Sequence, residues 1–85
     1  MNQTVLDAID AAITNRTDSA CPVPQAQWDY LNNQLAARIA AAQSSDVKWG
    51  LIWLQQLIAP WYDATNHTIK LKYLRVLRVI MKGLA

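Results

Sequence analysis

Glutamate and phenylalanine are absent from this chain, histidine and cysteine occur once each, and there are only two glycines. Each shortage removes a class of function. A lone cysteine, Cys21, cannot close an internal disulfide, which predicts a reducing, cytoplasmic setting. The opening MNQTVLDAID lacks a basic n-region and an apolar h-region, which predicts no secretory signal. The N-x-T triplets at Asn2, Asn15 and Asn66 then read as cap and turn residues rather than glycan sites. Two glycines cannot build a phosphate-cradling loop, and no Cys/His or Ser/His/Asp set stands at plausible spacing. Asp7 and Asp10 lie three apart without a His or third acid nearby, so they read as a solvated helix face rather than a metal or acid–base pair. Cys21-Pro22 is too short an element to indicate haem, and His67 reads as a cap or surface residue. The inventory predicts a protein without catalytic residues, cofactor or metal.

What is present is apolar. Of 85 residues, 53% are hydrophobic and 16% charged, with four tryptophans and a net charge of +2. That composition excludes disorder and predicts a single small domain over 1–85 with surplus apolar surface. The richest stretch is Asp46 to Tyr62, DVKWGLIWLQQLIAPWY. At about 100° per residue, Val47, Leu51, Leu54, Ile58 and Trp61 share one stripe. Leu57 and Trp53 extend that stripe, and Trp49 and Ile52 carry apolar character most of the way round. A membrane span needs roughly 20 continuous apolar residues, and Gly50, Gln55-Gln56 and Pro60 interrupt this run. The expectation is a buried central helix, capped by Ser44 to Asp46 and ended or kinked by Pro60.

Three further helices are predicted. The first runs from about Val5 to Thr14, with Thr4 as N-cap and Val5, Leu6, Ile9, Ala12 and Ile13 on one face. Asn15 to Val23 is a loop of turn formers. The second helix spans about Pro24 to Gln43, with Pro24 at its first position and Trp28, Leu31, Leu35, Ile39 and Ala42 inward. The last covers Thr68 to Ala85, its inward stripe being Ile69, Tyr73, Val76, Leu77, Ile80 and Leu84, widened by Leu74 and Met81. Its opening IKLKY alternates like a strand, but the 3.6-residue period continuing through Met81 favours helix. The fold predicted is all-α, a four-helix bundle around the tryptophan-rich third helix.

Charge is divided along the chain. Residues 1–67 carry three basic residues against six aspartates, and residues 68–85 carry five basic residues and no acid. A protein-interaction module, an adaptor or inhibitor working as a partner complex or a homodimer, is the function expected. Its partner-binding residues would be Leu71, Lys72, Arg75, Arg78, Val79 and Lys82 of the last helix, with Trp49. In size and composition such a chain is similar to phage and mobile-element accessory proteins that bind a host protein. The alternative is nucleic-acid binding through Lys70, Lys72, Arg75, Arg78 and Lys82. Peripheral membrane contact ranks below both, because the apolar side of that helix is needed inside. A helix-turn-helix over QLAARIAAAQSSDVKWGLIWL has suitable length, but its second helix would offer base edges little beyond Lys48, Gln55 and Gln56.

Overall fold

A computed structural model describes residues 3–84. The Asn2 sequon and the predicted helical end at Ala85 lie outside the described residues. The chain order is α1 (Gln3–Thr14), β1 (Ala20–Pro22), α2 (Gln25–Ala41), α3 (Ser45–Ile58), β2 (Tyr62–Asp63), β3 (Thr68–Lys70) and α4 (Leu71–Leu84). A single 3-10 turn, Ala59–Trp61, joins α3 to β2.

The four helices fall close to their predicted places, but the all-α four-helix bundle is not the fold. A three-stranded antiparallel sheet of order β1-β3-β2 accompanies the helices. Cys21 pairs with Ile69 on one side and Tyr62 pairs with it on the other. The alternating IKLKY therefore splits: its first residues are β3, and α4 starts at Leu71 without a break. The backbone N–H of Leu71 donates to the Ser19 carbonyl at 2.7 Å, which fastens that junction to the start of β1. Thr17 and Ala20 exchange two backbone hydrogen bonds around Asp18, whose φ of 55° is the left-handed conformation that Asp tolerates in tight turns.

The core gathers Val5, Leu6, Ile9 and Ala12 of α1, Trp28, Leu31 and Leu35 of α2, and Leu74, Leu77 and Met81 of α4. Cys21, Val23 and Ile69 from the sheet and Ile58 from α3 complete it. The hub is thus α4 with α1 along it, not the tryptophan-rich helix. That helix, α3, packs at the periphery against α2 and buries only Leu51 and Ile58. Its all-round apolar character marks a second, outward surface rather than burial on every side. Trp28 and Trp61 do pack: Trp28 stacks on Tyr62 at 5.0 Å, and Trp61 stacks on Tyr73 at 5.1 Å. In α4 the predicted inward Val76 is exposed, and Leu74, Leu77 and Met81 hold the buried line instead.

Local chemistry sets the boundaries. Ser44 caps α3, its hydroxyl accepting from the Val47 N–H at 3.2 Å. Pro24 occupies the N-cap of α2, and its carbonyl accepts from the Gln27 and Trp28 amides. Pro60 sits inside the 3-10 turn that ends α3, as a residue without an amide hydrogen must in a terminating helix. Residues 42–44 link α2 to α3, and the β2-β3 hairpin follows. The connectivity of a helix-turn-helix with a flanking hairpin is therefore present, although its chemistry differs from that of a base reader.

Candidate docking face

The outward side of α3 carries the least satisfied surface among the described residues. Trp49, Trp53 and Leu57 recur every four residues, so they lie on one stripe of the helix. They are 61%, 71% and 55% exposed. A fully buried tryptophan covers about 150–250 Å², so the two indoles leave roughly 250 Å² of ring in water. A stripe of this size approaches the largest apolar patch ordinary on a monomer, which is often functional. Tryptophan is also the side chain most enriched at binding hot spots.

Gly50 lies on the same side, and nothing inside the chain explains it. Its φ is not positive, and a Cβ built there meets no atom within 4 Å. Glycine in a helix interior costs about 1 kcal/mol relative to alanine. Here that cost has no intramolecular return.

The predicted partner-binding residues separate into two places. Lys72, Arg75, Val79 and Lys82 share the exposed side of α4, and Val76 joins them. Lys72 lies over the Tyr73 ring, 5.1 Å from its centroid. Leu71 is half-buried and packs against the core. Arg78 turns to α1, where its Nε donates to Asp10 at 2.5 Å. That pairing raises the Arg78 pKa further above the ordinary guanidinium value, through the hydrogen bond first and the carboxylate charge second. Arg78 is therefore committed to the fold, and only Lys72, Arg75 and Lys82 of the predicted set remain as outward cations. Trp49 stands on α3, a separate element. Trp53, Leu57 and Gly50 are not among the site residues expected from the sequence; for Trp53 and Leu57, four and eight residues beyond Trp49, the helical spacing is the available signal.

Two concave features lie elsewhere among the described residues. Between α1 and the first half of α2 lies an apolar cleft of about 280 Å³, floored by Ile69, Leu74 and Leu77. No carboxylate, amine, imidazole or thiol lines it, and its polar groups are those of Thr4, Gln27 and Tyr30. A shallow basic hollow at the start of α4 is bounded by Ser19, Lys70, Lys72 and Arg75.

The remaining chemistry-bearing side chains serve the fold. Cys21 is wholly buried in β1 rather than free in a loop, and burial raises its thiol pKa despite the opposing charges of Arg16 and Arg75. Tyr62 donates its hydroxyl hydrogen to the Val23 carbonyl at 2.7 Å. The phenol has one hydrogen to give, so the 3.0 Å contact between its oxygen and His67 Nδ1 needs the hydrogen on that ring nitrogen. Desolvation, followed by the charges of Asp29 and Asp63, raises the Tyr62 pKa. Asp63 organises the hairpin turn: its carboxylate accepts from the Thr65 and Asn66 amides and from Asn66 Nδ2. The Asn66 backbone bond is the main cause that lowers the Asp63 pKa, with the Asn66 side chain next. Among the described residues, no three His, Cys, Asp or Glu side chains group as metal ligands, and no helix is long and apolar enough to cross a membrane.

Comparison of this chain with protein-family models, curated proteins and solved structures finds no match in any of the three.

Proposed function

We propose that this protein is a non-enzymatic interaction module of the cytoplasm, an adaptor or inhibitor that docks onto a protein through the outer face of α3. The observation that carries the reading is the pair of bare indoles, Trp49 and Trp53, on a helix whose opposite side is already seated on α2. Such rings supply large contact area with few rotatable bonds, and a docked partner would remove them from water. The Trp49, Trp53 and Leu57 stripe itself contains no charge, Lys48 standing off it, which suits the desolvated centre of an interface. The same absence argues against base reading by α3, whatever its connectivity, since a recognition helix presents polar groups to the groove.

A photo-crosslinking residue at position 53, compared with one at position 36 on α2, tests the reading in cells that make the protein. Both positions are exposed. A discrete protein adduct from position 53 alone is the expected result. Equal or absent adducts at the two positions would remove the proposal.

One observation favours a second reading. Lys70, Lys72 and Arg75 converge around the hollow at the start of α4, and Lys82 continues the same charge along the helix. Phosphate contact through these residues would give affinity that falls steeply with salt. Charge reversal of Lys72 and Arg75 would abolish such binding, and no mobility shift with DNA or RNA at low salt would end this reading.

A further inference from the structure

We infer that the cleft between α1 and α2 is a binding site for an uncharged medium-chain alkyl compound, an alcohol or ketone with its polar group at the mouth. The cleft shares no residue with the α3 stripe, so this inference stands apart from the docking reading.

The cleft follows from how the helices are committed. α1 packs mainly along α4 and α2 mainly against α3, which leaves a seam between α1 and α2 that neither closes. Protein interiors seldom leave a void larger than a water molecule. This seam leaves about 280 Å³ over Ile69, Leu74 and Leu77, three side chains otherwise fully buried. An apolar cavity of roughly 150 Å³ accepts benzene, so the space here suits a molecule of about ten non-hydrogen atoms.

Shape favours a chain over a ring. Val5, Ala8, Ile9 and Ala12 line one wall at helical spacing. Seven residues of α-helix rise about 10 Å, close to the length of an extended eight-carbon chain. Charge selects the head group. The charged residues of α1 and of the first two turns of α2 are Asp7, Asp10 and Asp29, all acids. A carboxylate head would lose its water there without meeting a cation in the lining. An ammonium head likewise meets no carboxylate in the lining. Thr4, Gln27 and Tyr30 are the exposed polar side chains of the lining, and a hydroxyl or carbonyl can hydrogen-bond with such groups.

Titration of the isotope-labelled full chain with 1-octanol, followed by amide and indole chemical shifts, tests this. Saturable shifts centred on Val5, Ala8, Ala12, Ala26 and Leu31 are expected, with a Kd below about 1 mM for so small a ligand. Octanoate should bind at least about tenfold more weakly. Ala8→Leu and Ala26→Leu fill the cleft from opposite walls. Each, checked for unchanged helicity, should weaken 1-octanol binding by about tenfold or more. No saturable shift up to ~3 mM, or shifts centred on the Trp49 and Trp53 indoles, overturns the inference. Equal binding of octanoate, or undiminished binding by both leucine variants, overturns it as well.

Discussion

Replacing Trp53 with alanine separates a core indole from a surface one. A buried tryptophan truncated to alanine loses about 3–5 kcal/mol through lost transfer energy and a residual cavity. Trp53 is 71% exposed, so folding covers roughly 30% of its surface. At about 150–250 Å² for the whole side chain and ~25 cal/mol per Å², the covered part contributes about 1–2 kcal/mol. Alanine recovers about 0.5 kcal/mol in helix propensity and leaves no enclosed void. The expected net loss is about 1 kcal/mol or less. Leu35→Ala is the internal standard, because Leu35 has no exposed surface and should lose about 2–5 kcal/mol. Urea unfolding followed by far-ultraviolet circular dichroism at low micromolar concentration measures both without relying on indole fluorescence or on self-association. A Trp53→Ala loss above about 3 kcal/mol, equal to that of Leu35→Ala, would refute the peripheral placement of α3.

Arg78→Ala should lower stability only slightly, because its partnership with Asp10 is half in water, and the loss should shrink in 1 M salt as screening removes it from the wild type. Cys21 should resist a thiol-specific aromatic disulfide in the native state and react only as the fold opens; labelling at the rate of a free thiol would contradict its burial. The Asp63 pKa in the folded chain is lowered below the ordinary value of 3.8, so its stabilising effect is complete above that value and lost as pH falls through the lower folded one. Asp63→Ala should speed amide exchange at Thr65 and Asn66 at neutral pH, and wild type should approach the variant as acid protonates the carboxylate; identical exchange at pH 7 would exclude the turn role.

Much of this fold is legible in the sequence where many residues repeat the same message. The stripe Trp28, Leu31, Leu35 gave α2 its buried side, and Ser44 announced the start of α3. The sheet was hidden for a physical reason. Strands of two or three residues cannot display alternation, and Ala20–Pro22 lies within a run of turn formers. The alternating IKLKY was the visible trace of β3, outweighed by the longer helical period that begins at Leu71. The misplaced hub has a different cause. Periodicity tells which residues share a side of a helix, but both sides of α3 are apolar, and only tertiary contact decides which one is covered. The exposed stripe is legible as a pattern in the four-residue spacing of Trp49, Trp53 and Leu57. Its openness, and the empty space around Gly50, are properties of packing that no local spacing encodes.

The sheet itself constrains how copies can meet. Its two outer strands are three and two residues long, and one of them ends in Pro22, which has no amide to lend. Edges this short and blunted offer a poor template for strand addition, the usual route from small sheets to fibres. With that route narrowed, any contact between copies would have to run side chain to side chain across helices rather than strand to strand.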